Sequence, residues 1–389
     1  MLKQESIISI DKIIWWGILL FLASLILSIA VVQIVSLLLI VLWLIKLFKN
    51  KNYKIETTPL DIPVLLFIAS RLSGILFSIN HEVSTPAIWT EIIFYFLFFF
   101  FTNNINIQDD FRNNVMIKVF VVAGIAASII GIAKYGFGFE SRASSTTSGY
   151  YTFGMYVTVL IGVILALNQQ KEIFPKRWFF IIAITLTMIA LMFTFNRIHW
   201  LATAVLILVY GIFKNRRVLI AAVTAAGLML IIFPSVLQRA STLLNPLSHT
   251  SERATLWQGA IKIWDEKIIF GFGLDTFTLI FPFKNDLIDK GISNWHNDFL
   301  QMYMECGVVG LIIFIYLAVV IFSSIIKILN TKHINSNLKN ITWGILLAMV
   351  GFYVSTIAGG FLSNPIISLL FIYLLSILAL ISKYRLSNG

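Results

Sequence analysis

Apolar residues run along this chain in long stretches separated by short polar or cationic segments, at about 13–30, 31–48, 61–79, 86–102, 114–133, 150–168, 177–196, 198–213, 217–236, 299–326, 341–359 and 364–382. Most approach the roughly 20 residues that a helix needs to cross a hydrocarbon core, and none alternates like the strands of a membrane barrel. The pattern predicts an all-α polytopic membrane protein with about twelve transmembrane helices, the first two forming a tight hairpin that splits near Ala30. Both charge signs precede the first run and no obvious small-residue cleavage site follows, so it reads as a retained anchor. No internal repeat or low-complexity segment interrupts the series, and residues 1–389 read as a single integral membrane domain.

Composition reinforces this reading: 59% of residues are hydrophobic, 12% are charged and the mean hydropathy is +0.90. No soluble core of this length could hide so much apolar side chain. The formal charge of +11 does not indicate nucleic acid, because Lys and Arg form short clusters between the apolar runs. Cations so placed are expected in loops that face anionic cytoplasmic lipid. With both termini cytoplasmic, nineteen of the 29 cations fall on that side, as the positive-inside rule requires. The other ten, Arg71, Lys134, Arg142, Arg197, Arg239, Arg253, Lys262, Lys267, Lys284 and Lys290, belong to outer loops or the membrane. The lone cysteine, Cys306, excludes an internal disulfide, and the five histidines show no metal-ligand spacing with it.

One connection is long. Residues 237–298 lie on the outer side, between the ninth and tenth spans, and a loop of this length usually carries function or structure of its own. Within it an amphipathic helix is expected over about 251–266, with Arg253, Trp257, Ala260, Ile261 and Trp264 on one face, lying on the membrane or over a cavity. Gly271 and Gly273 should then break the helix, and Pro282 should keep the next stretch irregular.

Several residues could carry chemistry. Arg197 stands in a tight outer turn, Thr194-Phe195-Asn196-Arg197. It suits bidentate binding of a pyrophosphate, or else snorkels beside Trp200. Arg253 shares the apolar face of its helix, so it must point toward the membrane or a cavity, as an anion ligand, an interfacial snorkel or a partner of Glu252. Arg142, in a loop of small hydroxyl residues, is a further candidate for the same anion. His296 lies where the long loop meets the tenth span, and is either a general base or a surface residue at a helix start. Asp298 follows it. Glu305, about two and a half turns further on, is an intramembrane carboxylate that marks a polar network or pathway. Arg71, in the third span, could be its partner or another ligand contact. Gly307 and Gly310 would let a neighbouring helix approach closely.

These residues resemble a known family. His296-Asn297-Asp298-Phe299-Leu300 running on to Glu305-Cys306-Gly307-Val308-Val309-Gly310-Leu311 looks like the His-Asn-x-x-Leu, Glu-x-Gly-x-x-Gly-Leu signature of the O-antigen ligase and polymerase superfamily of bacterial membrane glycosyltransferases. Arg197 with Leu201 is similar to that superfamily's Arg-x-x-x-Leu element, with Asn196 where Ser is common. Ser251-Glu252-Arg253 with Leu256-Trp257, followed by Gly271-Phe272-Gly273, resembles its loop helix and glycine turn.

The resemblance implies a GT-C type fold in the bacterial inner membrane, with the 237–298 loop and the active site facing the periplasm. It implies transfer of a glycan from undecaprenyl pyrophosphate to a sugar hydroxyl of lipid A-core, with His296 as the catalytic base and Arg197 and Arg253 on the pyrophosphate. Arg142, Asp298, Glu305 and Arg71 are possible additional site residues. Pyrophosphate is already a good leaving group, so metal-independent, inverting transfer without a cofactor is expected. A polysaccharide polymerase joining lipid-linked repeat units has much the same marks. A secondary transporter would instead need internal repeats and interrupted helices with midplane charges.

Overall fold

A computed structural model describes residues 2–26, 28–146, 149–232, 234–241, 252–284, 292–362 and 364–387. Two parts of the long loop, 242–251 and 285–291, with Ser251 and Lys290, lie outside the described residues. Among the described residues the chain is helical, with no strand. In order the helices are α1 Leu2–Ser24, α2 Ile29–Lys49, α3 Asp61–Leu76, α4 His81–Asn104, α5 Asp110–Gly136, α6 Tyr150–Ala166, α7 Arg177–Phe193 and α8 Arg197–Phe213. Then come α9 Arg216–Ile232, α10 Pro234–Ser241, α11 Glu252–Ile263, α12 Phe277–Ile280, α13 Asp298–Asn330, α14 Ser336–Ser355 and α15 Pro365–Ser387.

The apolar runs follow these helices, except that the 13–30 run passes the end of α1 and reaches α2, and the 217–236 run passes the end of α9 and reaches α10. Six, α2, α4, α5, α13, α14 and α15, are long and apolar enough to cross a membrane by length and composition, and α6, α7 and α8 are shorter apolar helices. The chain is therefore an all-helical, multi-pass membrane protein. Boundaries follow local chemistry. The side chains of Asn80, Asp109 and Asn297 each accept a backbone N–H in the first turn of α4, α5 and α13, satisfying donors that a helix start leaves open. Lys46 and Lys49 sit in the last turn of α2, where cations meet the negative end of the helix dipole.

Buried side chains cover almost the whole of α6 and α15. A helix that is apolar all round belongs in the middle of a large core. Around them α6 packs on α14, α15 on α4, and α13 on α3. Antiparallel succession puts the connections 50–60, 105–109, 167–176 and 331–335 at one end of the bundle. There Tyr53 Oη donates to Asn103 O at 3.0 Å and Asn337 Nδ2 to Asp110 Oδ1 at 2.7 Å. The turns 77–80, 137–146, 194–196 and 356–362 gather at the other end, with the start of α13.

The glycines act differently from the expectation. α11 ends at Ile263, eight residues before Gly271. Gly271 and Gly273 take φ of +72° and +108°, and their segment runs against α13, with Phe272 N donating to Met304 O at 2.7 Å and Gly273 N to Glu305 O at 3.1 Å. A Cβ on Gly271 would meet Cys306 N at 2.6 Å. Gly307 breaks α13 with φ 67°, and what approaches it is the backbone of Ile269, a loop residue. The close helix contact is made instead from α3, where a Cβ on Gly74 would meet Glu305 O at 3.0 Å. Gly310 faces Cys306 and Met302 of its own helix.

Candidate functional site

Two of the helices that carry the sequence candidates begin in the same way. Phe195 and His296 both have left-handed backbones, with φ of 49° and 47°, and each is followed by an asparagine at the N-cap of α8 or α13. A non-glycine residue in this region costs of order 1–3 kcal/mol and persists only where its surroundings hold it. At α13 the holding bonds are clear: His296 N donates to Asn294 Oδ1 at 3.0 Å, and Asn297 Oδ1 accepts Leu300 N at 3.0 Å. At α8, Ala143 N donates to Phe193 O at 2.7 Å and Trp200 Nε1 to Leu191 O at 3.0 Å. These bonds tie the Arg142 loop and the first turn of α8 to the end of α7. Trp200 is therefore a clasp between helices rather than a separate interfacial anchor.

The segment between α14 and α15 joins the pieces. Three successive carbonyls, of Thr356, Ile357 and Ala358, accept respectively Asp298 N at 3.0 Å, Asn297 Nδ2 at 3.1 Å and Arg253 Nη2 at 2.8 Å. In return the buried carboxylate of Asp298 accepts Phe361 N at 2.9 Å and Leu362 N at 3.4 Å. One turn thus holds the loop arginine and the residues directly after His296. Sequence reasoning missed it. The Gly359-Gly360 pair before Asn364-Pro365 was the available turn signal.

Arg253 is exposed and reaches the turn with its guanidinium. The face assigned to its helix needs correction. Leu256, Ala260 and Ile263 are buried, so Ala260 belongs to the inner face, while Trp257 at 45%, Ile261 at 66% and Trp264 at 59% exposure form the outer one. The outer stripe is apolar, as a surface in contact with lipid would be.

Arg197 is half-buried, and the charges of Arg253 and Arg142 act on it repulsively. Three guanidiniums from separate elements therefore share one neighbourhood. Arg142 also lies 4.2 Å from the ring centre of Tyr150, within cation–π range. Tyr151 sits behind them: Asp298 and Arg253 act on it electrostatically, its ring lies 4.7 Å from that of His199, and any side chain at Gly359 would collide with its hydroxyl. His199 is fully buried, with no hydrogen-bond partner at either ring nitrogen among the described residues.

Arg71 and Glu305 do not join this cluster as ligands with free valences. Arg71 Nη1 bonds Glu305 Oε2 at 2.6 Å, and its Nε bonds Glu91 Oε2 at 3.0 Å. Glu305 Oε1 also accepts Gln301 Nε2 at 3.0 Å and Asp275 N at 3.2 Å, while Tyr95 donates to Glu91. This network locks α3, α4, α13 and the glycine loop together. Glu91, a carboxylate inside the 86–102 run, escaped notice although the reasoning that flagged Glu305 applies equally to it.

Comparison with known proteins bears on the same residues. Positions 180–315 match the family model described as O-antigen ligase. Over that stretch the chain is similar to the O-antigen ligase family. The matched stretch contains Arg197, Arg253, His296, Asp298 and Glu305, and the match agrees with the resemblance drawn from the motifs. A curated Rickettsia conorii protein, provisionally named a polysaccharide ligase, is 22% identical over 309 residues, covering 75% of this chain and 72% of its own length. Both matches are to ligase-type proteins, and each is what this chain is similar to.

Proposed function

We propose that this chain is an O-antigen ligase that transfers a glycan from undecaprenyl pyrophosphate to a sugar hydroxyl of lipid A-core at the periplasmic face of the inner membrane. Arg197 and Arg253, with Arg142 beside them, take the pyrophosphate. His296 takes the proton of the attacking hydroxyl. The observation that carries this reading is the turn at 356–358, whose consecutive carbonyls tie Arg253 to the start of α13, next to His296. Three guanidiniums in one neighbourhood repel one another, and a pyrophosphate carries the charge and the paired oxygens that suit them.

In this scheme the acceptor oxygen attacks the anomeric carbon as its proton passes to the His296 imidazole. The bond to the donor phosphate breaks, and the arginines hold the charge that develops on the departing pyrophosphate. Attack from the opposite side inverts the anomeric centre, and neither step needs a metal. The twelve apolar helices are read as spans of a GT-C type bundle, with cytoplasmic termini and the 237–298 loop in the periplasm.

The deciding experiment incubates purified protein with lipid-linked glycan, with and without lipid A-core, and resolves the products on a gel. Transfer that requires lipid A-core supports the ligase. Longer lipid-linked chains formed from donor alone would replace it by the polymerase reading. Uptake of a solute into proteoliposomes, without transfer, would favour transport.

A further inference from the structure

At the end of the bundle opposite the arginines, α1, α2, α4, the start of α5, α15 and the 50–60 and 105–109 connections line an open cavity of about 550 Å³, within the range of small-molecule sites. Its lining is charged with both signs. Lys46 Nζ lies 2.7 Å from Asp11 Oδ1, Lys383 pairs with Glu56, and Arg112 stands 5.1 Å from the ring centre of Trp15. Asn103, Asn106 and Gln108 add neutral donors and acceptors, while Ile14, Ile18 and Leu380 form an apolar wall. The acids are about half exposed. Such ion pairs contribute little, on the order of 0–1 kcal/mol, so their charges can be shared with a ligand at small cost.

We infer that this cavity binds a phospholipid headgroup carrying both a phosphate and a primary ammonium. Arg112 and Lys383 meet the phosphate, and Glu56 and Asp11 the ammonium. The apolar wall receives the first methylenes of the acyl chains. Trp15 and Tyr384 line the cavity and Tyr53 lies beside Lys46. These are residue types that gather at the headgroup level of a bilayer, which places the cavity within reach of a lipid. This inference is independent of the proposed glycosyl transfer.

The test is native mass spectrometry of the full-length protein in detergent, titrated with phosphatidylethanolamine, phosphatidylglycerol or soluble phosphoethanolamine. Phosphatidylethanolamine should bind with a Kd about tenfold lower than phosphatidylglycerol, a difference that one charged contact can supply. Glu56→Gln should abolish that preference, and Arg112→Gln should weaken both lipids. Equal binding of the two lipids by the wild type would overturn the inference, as would a preference that survives Glu56→Gln. Displacement of the lipid by soluble phosphoethanolamine at equal concentration would show a site for a soluble metabolite instead.

Discussion

Asp298 stands two residues from His296, and it is the obvious rival for the role of base. Its environment argues for a clip. Both carboxylate oxygens accept backbone N–H groups of the 356–362 turn, and a buried N–H deprived of its acceptor costs about 1–3 kcal/mol. Asp298→Ala strands the N–H groups of both Phe361 and Leu362, so it should lower stability by about 2–6 kcal/mol. Asp298→Asn keeps one acceptor oxygen and should cost about 1–3 kcal/mol. Because the same turn receives the Arg253 guanidinium, loosening it should raise KM for the donor more than it lowers kcat. Unfolding by SDS titration in mixed micelles gives the first quantity, and steady-state transfer gives the second. The reasoning fails if Asp298→Asn leaves stability and KM unchanged while kcat falls by the 10²–10⁴-fold typical of a lost general base.

Other expectations follow from the same geometry. Arg197→Lys and Arg253→Lys keep charge but lose the bidentate fork, and each should cost about 2–4 kcal/mol of transition-state stabilisation, read as kcat/KM; wild-type turnover would return both residues to an anchoring role. His296→Ala should reduce kcat by about 10²–10⁴-fold with donor binding nearly intact, and a loss below about tenfold is too small for a base. Arg71→Leu leaves Glu91 and Glu305 buried without their common partner, which should destabilise the protein by about 3–5 kcal/mol, whereas unchanged unfolding would show the network to be unimportant. A cysteine at the exposed Ser293 should react with an impermeant thiol reagent added from outside and one at Asn215 should not, the native Cys306 being buried; the reverse labelling would invert the proposed topology.

Helix content and the class of the molecule were legible in the chain itself, because both depend on properties that are local in sequence. Runs of apolar residues record the solvent of each segment, and clustered Lys and Arg record which segments stay in water. The motif residues around Arg197, Arg253 and His296 were legible for a related reason, since each lies in a short stretch of recognisable spacing. The turn that joins Arg253 to the start of α13 was not. Its contribution is made by the backbone carbonyls of Thr356, Ile357 and Ala358, which any side chains could supply, at separations of 58 to 105 residues from their partners. Periodicity placed Ala260 with Trp257 and Ile261, but an alanine fits either face, and only packing decides which one it joins. Arg71 and Glu305 were each visible as buried charges, yet Glu91, the second carboxylate on Arg71, emerges only when α3, α4 and α13 are brought together. Gly307 looked like a helix contact because small residues usually serve that purpose in membranes. The fold uses it to turn the chain out of helical geometry where a loop backbone lies across it, a distinction that rests on φ and on what stands nearby, neither of which is written in the residue type.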